Sequence, residues 1–436
     1  MPKIYIYFFV IIYYISYEMA DEIIFENNIS NYSDVINPEI TPFATNQNTH
    51  INFATEEFVI TSNDTIDFNN SIQFEIPKKR TNCLLTNLKL EFSLPAITTA
   101  NITGARWINW VNSIGYALIE SVKIEASNIE LDKHTGEFME LWNELSVPSG
   151  DIYNTSIGKY KSSPPRNSAS IPARKVTVQL FFWFCRGTPG RESLDATKLA
   201  FPIGYLNNNT VKLTLKISSK DKLIYTDGTA SNPSITLTDC KLIAEYAFLD
   251  LTDTNEELVS TSLQFYENYR QQISTVQQIS FTGTATASGT TEFNLNSLES
   301  SVTELIWYIQ KERSAGATRQ ARFKFNYHGG NILSDCSVLI GDYSLSSNLP
   351  VNNFTITNPL AAGHLVPRKN VHVYAFALQP NIYSNPSGFF NLSNKTGVKV
   401  KCTFSSFSGA YEGELYALSR RILFFSNGSC SIRDIA

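Results

Sequence analysis

The stretch Val398–Phe404 sets the first constraint on this chain. Val398, Val400, Cys402 and Phe404 alternate with Lys399, Lys401 and Thr403. Apolar side chains at every second position lie on one face of a strand, whereas a helix needs them three and four apart. The same period recurs where Ile72, Phe74 and Ile76 alternate with Gln73 and Glu75. It recurs again at Leu88, Leu90, Phe92 and Leu94, at Val122 and Ile124, and through Val211–Ile217. Strands with one polar face belong to antiparallel sandwiches. A chain of 436 residues is long enough for two or three such domains, each with its own core.

Val176–Leu206 has a different texture. Val176, Val178 and Leu180 alternate with Thr177 and Gln179, and then Phe181, Phe182, Trp183 and Phe184 are apolar without a break. Such a run predicts a strand buried on both sides, or one whose outer face meets another subunit. Gly187-Thr188-Pro189-Gly190 reads as a turn. Further strands are predicted in the second half at Gln272–Thr282, Glu304–Gln310, Arg322–Tyr327, Cys336–Ile340, Asn370–Ala377, Val398–Phe404 and Glu414–Phe425. Ser121-Val122-Lys123-Ile124 and Ser337-Val338-Leu339-Ile340 form a faint echo between the halves.

One helix is predicted over Asp132–Leu145. Phe138, Leu141, Trp142 and Leu145 make one apolar stripe, Thr135 opens it, and Pro148 with Gly150 closes it. The acids fall off that stripe, so the helix reads as a surface plug over one end of a sandwich, and His134 as no part of an active site.

The net charge of −5 and the lack of a basic tail argue against a protein that wraps nucleic acid. Lys78-Lys79-Arg80 reads as a solvated strand end. Six cysteines without a CxxC spacing exclude the common zinc frameworks and read mostly as free thiols made in a reducing compartment. Ile4–Tyr17 is apolar but too short for a confident membrane span. It reads as an upstream extension before a start at Met19, as a signal or anchor, or as a structural arm.

Several strings together are similar to the major capsid proteins of nucleocytoplasmic large double-stranded DNA viruses, of chlorovirus, iridovirus and mimivirus type. They are Phe182-Trp183-Phe184-Cys185-Arg186 with its Gly/Pro turn and Phe201-Pro202-Ile203, then Asn37-Pro38-Glu39-Ile40-Thr41-Pro42-Phe43, and Leu118–Leu145. Tyr246–Asp250, Leu305-Ile306-Trp307, Val373–Pro380, Asn385–Gly388, Asn391-Leu392-Ser393 and the Tyr416–Gly428 ending complete the resemblance, which spans residues 37–428. Asp342–His364 departs from the family pattern and carries no signal for the helix expected there.

The resemblance implies an all-β double jelly roll: two tandem eight-stranded antiparallel sandwiches with a few short helices in loops. The expected organisation is an arm at 1–36, a first jelly roll at 37–252 and a second at 258–430, with the boundary at Leu251–Glu257. It also implies a capsid protein of the virion, assembled in the host cytoplasm, whose homotrimers form pseudo-hexagonal capsomers of an icosahedral shell. Loops 146–170 and 341–370 would build towers and contacts. The implied partners are the chain itself in trimers and neighbouring capsomers, minor capsid and penton proteins, and inner membrane-associated proteins, with no direct nucleic acid contact.

No GxSxG, HExxH, P-loop or GxGxxG motif occurs, and the five histidines lack metal-ligand spacing. The sequence therefore nominates no catalytic, cofactor-binding or metal residue, and no cofactor. Eleven N-x-S/T sequons occur, and Asn63, Asn101, Asn154, Asn353, Asn391 and Asn427 are the candidate N-glycosylation acceptors. A secreted, glycosylated two-domain β-sandwich binding module is the alternative function, and a β-sandwich glycan lyase or hydrolase a third.

Overall fold

Among the described residues, sixteen strands in four antiparallel sheets carry the fold. The computed structural model describes residues 53–435 except 81–82, 149, 162–163, 187–199, 207–210, 229–233, 250–269, 299, 313–330, 342, 383–385 and 394. The N-terminal readings, the Asn37–Phe43 motif, the Gly187–Gly190 turn, the Arg322–Tyr327 strand and the Leu251–Glu257 boundary lie outside the described residues.

The first eight strands are β1 (Phe53–Thr61), β2 (Ser71–Ile76), β3 (Cys83–Leu94), β4 (Ile119–Ala126), β5 (Ile129–His134), β6 (Arg174–Gln179), β7 (Val211–Ile217) and β8 (Asp239–Leu249). They form a first sheet ordered β1-β8-β3-β6 and a second ordered β2-β7-β4-β5. The next eight are β9 (Arg270–Ala285), β10 (Thr290–Asn294), β11 (Ser301–Lys311), β12 (Leu333–Ile340), β13 (Tyr343–Pro350), β14 (His372–Ala375), β15 (Val398–Phe404) and β16 (Gly409–Ser426). Their sheets run β9-β16-β11-β14 and β10-β15-β12-β13. Each strand of the second set therefore sits where the strand eight places earlier sits in the first. Two sheets closing on one apolar layer, with this crossed order, make a jelly roll, and the chain holds two in tandem. The S-V-x-I echo falls on the equivalent strands β4 and β12. A final strand, β17 (Ser429–Asp434), pairs with the end of β16.

The alternation explains the layers. In β7, Val211, Leu213, Leu215 and Ile217 are fully buried while Lys212, Thr214 and Lys216 look outward. Its equivalent β15 behaves in the same way. The apolar core comes in two clusters, and their division is informative. One lies inside the second roll and includes Leu305, Trp307, Val338 and Val400. The other fills the first roll and continues into the junction, taking in Ile306, Tyr308, Val373, Tyr416 and Leu418 from the second. Strand β11 thus sends Leu305 and Trp307 into its own sandwich and Ile306 and Tyr308 into the neighbour. Both faces of β11 are buried, as are those of β16 over Leu415–Leu418.

Four sequence expectations are corrected. The strand predicted through Phe184 ends at Gln179; Phe181–Phe184 belong to a tight turn in which Cys185 and Arg186 N–H both donate to Phe182 O. Its aromatics are buried by packing in the junction and not by sheet neighbours. The helix α1 spans Gly136–Ser146, because Asp132 and His134 are still paired with β4. It is no surface plug, since Glu140 and Glu144 are buried with its apolar stripe. Residues 341–370 are not one long loop. They hold β13 and a helical segment α2, π-helical over Asn353–Thr357 and α-helical over Asn358–Ala361.

Candidate assembly surfaces

The junction between the two rolls is built from β5, α1 and the Phe181–Arg186 turn on one side. The outer face of the β9-β16-β11-β14 sheet and residues 364–369 meet them from the other. Thr135 caps α1 by accepting from Phe138 N–H at 3.3 Å. Gly136 is required at its start, since a Cβ there would lie 2.2 Å from Tyr116 O. The helix then lays Phe138 against Tyr416 and Trp142 against His364.

Buried charges tie the junction together. Asp132 and His134 point inward from β5, with His134 Nε2 2.9 Å from Asp132 Oδ2. Asp132 Oδ1 accepts the Val276 N–H of β9 at 3.0 Å. Arg186 reaches Asp132 at 3.5 Å and donates to Ser274 Oγ at 2.9 Å. Removing one partner from a buried set like this leaves an uncompensated charge, which is the costly event. Burial holds the His134 imidazole below its ordinary range; Asp132 opposes that shift and Arg186 adds to it.

On α1, Glu140 meets Lys159 at 3.0 Å and Lys369 at 2.5 Å, and Glu144 meets Lys159 at 2.7 Å. Burial alone would raise the Glu144 carboxyl, but the Lys369 and Lys159 ammonium groups outweigh it and hold it low. Burial likewise works against the Lys159 charge, and the two carboxylates restore it and raise its pKa. Glu304 of β11 and His364 form another buried pair at 2.8 Å.

By the strand-for-strand equivalence, this junction has an unused counterpart. The equivalent of the β9-β16-β11-β14 face is the outer face of the first sheet, and the equivalent of β5 with α1 is β13 with α2. Both carry exposed apolar side chains. Phe53 and Val59 on β1 are each 62% exposed, Tyr343 on β13 is 80% exposed, and Leu360 on α2 is 56% exposed. Ile356 and Leu345 are exposed beside them. The first-sheet face is the more polar one, crossed by Lys89–Glu57 at 2.6 Å and Lys175–Glu91 at 2.8 Å.

The sequons do not converge on any site. Asn63 is exposed between β1 and β2, and Asn427 is exposed in the β16–β17 turn, where its φ of 51° suits asparagine. Asn101 is half-buried and donates to Ser234 O, Asn353 is half-buried and donates to Asn358 Oδ1, and Asn391 is half-buried in a short strand. Asn154 is buried, and its Nδ2 donates to Pro148 O at 3.0 Å. Lys79 and Arg80 are exposed after the end of β2 and lie over the rings of Phe58 and Phe248. Sequence reading missed Asp132, Glu140, Glu144 and Arg186 as junction residues. The one available signal was Asp and His at alternate, core-facing positions of β5.

Comparison with known proteins gives a consistent result. The family model described as large eukaryotic DNA virus major capsid protein matches residues 178–422. The one described as major capsid protein N-terminus matches residues 41–250. The major capsid protein of Pyramimonas orientalis virus is 26% identical over 399 residues, covering 86% of this chain and 91% of that protein. The major capsid protein of Phaeocystis pouchetii virus is 25% identical over 392 residues, covering 81% of this chain and 66% of that protein. Among solved structures, a chain of the quasi-atomic PBCV-1 virus capsid superposes with a TM-score of 0.70 at 18% identity, covering 91% of this chain and all of that one.

Proposed function

The chain belongs to the large eukaryotic DNA virus major capsid protein family, and from that premise we propose that it is a non-enzymatic shell protein working as a homotrimer. Three copies supply six jelly rolls in a pseudo-hexagonal ring, with first and second rolls alternating. Each first-to-second junction is the one inside the chain. Each second-to-first junction joins β13 and α2 of one copy to the outer face of the β1-β8-β3-β6 sheet of the next. The observation that carries this reading is the pair of exposed counterparts, Phe53 and Val59 on one surface and Tyr343, Ile356 and Leu360 on the other.

A closed ring of heterologous contacts satisfies every copy, which an open chain of contacts does not. Capsomers then meet neighbouring capsomers, minor capsid and penton proteins at the shell, and inner membrane-associated proteins beneath it, with no direct nucleic acid contact. Assembly takes place in the host cytoplasm. Asn63 and Asn427 are the acceptors best placed for any glycan.

Val59→Asp and Leu360→Asp test the contact, since both side chains are solvent-exposed in the single chain. Each variant is expected to keep the far-UV spectrum and melting temperature of the parent and to run as a monomer. Trimers of unchanged stability from both variants would show that these surfaces do not meet.

A further inference from the structure

We propose that Cys336 and Cys402 are a latent disulfide site, oxidised while the second roll folds. They lie directly opposite each other on β12 and β15. Both side chains are completely buried, and their sulfurs are 3.0 Å apart. Residues opposite each other on antiparallel strands have Cα atoms about 4.5–5.5 Å apart. That spacing falls inside the window of about 4.4–6.8 Å that a disulfide needs. The pairing is therefore compatible with a bridge, and the sulfurs have to close by about 1 Å to reach bonding distance.

The other cysteines lack this arrangement. In the ladders Cys83 faces Phe248, Cys240 faces Phe92 and Cys430 faces Phe425, while Cys185 sits in the turn after β6. The sequence separation of the pair is 66 residues. A bridge would close one loop around β13, α2 and β14, the segment carrying half of the proposed inter-copy surface. The bridge itself does not depend on that assignment.

The oxidant is a disulfide of the thiol–disulfide oxidoreductase type. One cysteine thiolate attacks a donor sulfur to give a mixed disulfide, and the second thiolate displaces the donor's other thiol. Two protons and two electrons leave the pair, one S–S bond forms, and the donor disulfide is reduced to two thiols. Burial in the closed sheet raises the Cys402 thiol well above its ordinary range, and its contact with Cys336 adds to this. Thiolates are the attacking species. The exchange therefore belongs to the folding chain, before β12 and β15 close over the sulfurs.

The test is refolding of the full chain in a mixture of reduced and oxidised glutathione, followed by denaturation, alkylation without reductant and peptide mapping. The expected result is a reductant-sensitive peptide joining Cys336 to Cys402, with the remaining four of the six cysteines alkylated. The bridged protein should also melt at a higher temperature than the same preparation after reduction. Six alkylated thiols, glutathione adducts without a bridge, or a bridge between any other pair would overturn the proposal. The mapping uses the parent protein, so it decides the matter even if Cys336→Ser and Cys402→Ser fail to fold.

Discussion

At the scale of single residues, the junction and the second core depend on imidazoles held neutral. His372 is fully buried and stacked on Trp307. Its contacts fit one neutral tautomer, with Nδ1–H donating to Trp307 O at 3.3 Å and Nε2 accepting from Asn331 Nδ2 at 3.2 Å. Burial pushes its pKa down to about 4, against a weaker opposing effect of the Trp307 carbonyl. A base depressed in the folded state binds its proton at higher pH in the unfolded chain, so stability is lost as pH falls through that interval. His372 thus contributes fully above about pH 6.5 and loses its contribution as pH falls towards 4, a change on the order of 3 kcal/mol. His134 adds to it in the same direction. Denaturant titrations at pH 7.5, 6 and 4.5 should show a falling midpoint, and His372→Gln should flatten the slope. A midpoint independent of pH across this range would contradict the burial argument.

At the scale of elements, the turn Phe181–Arg186 and helix α1 hold the rolls together. Trp183 is buried against Phe184 and Phe201, and Phe201 packs on Phe425 of the second roll. Trp183→Ala should cost on the order of 3–5 kcal/mol and be read as loss of soluble, cooperatively melting protein. A soluble variant with parental stability would show that the turn is dispensable. Strands with strict alternation, such as β2, β7 and β15, could be read directly from sequence because one face meets a core and the other water. The aromatic turn was misread because packing between two domains produces the same unbroken apolar run as burial inside a sheet. The buried acids of α1 were misread because their partners lie outside the helix: Lys159 comes from a later segment of the first roll and Lys369 from the second, so the spacing of the helix shows neither. Strand β13 opens with a short alternation, Tyr343-Ser344-Leu345-Ser346, but it misleads: the apolar pair is exposed in the single chain and Ser346 is buried. Helix α2 begins with a π-helical turn, and its Asn358-Pro359 step hides the usual stripe.

At the scale of the whole molecule, the organising fact is that the second jelly roll repeats the first strand for strand, while only one of two equivalent junctions is formed within the chain. The family resemblance in the sequence pointed to the double jelly roll. The unmatched surfaces could not be read there, because they follow from which face each strand turns outward. The most direct test is the native mass of the purified chain by light scattering coupled to size exclusion. The account predicts a stable species of three times the 48.9 kDa chain mass. A monomer persisting at the highest concentrations reached would contradict it.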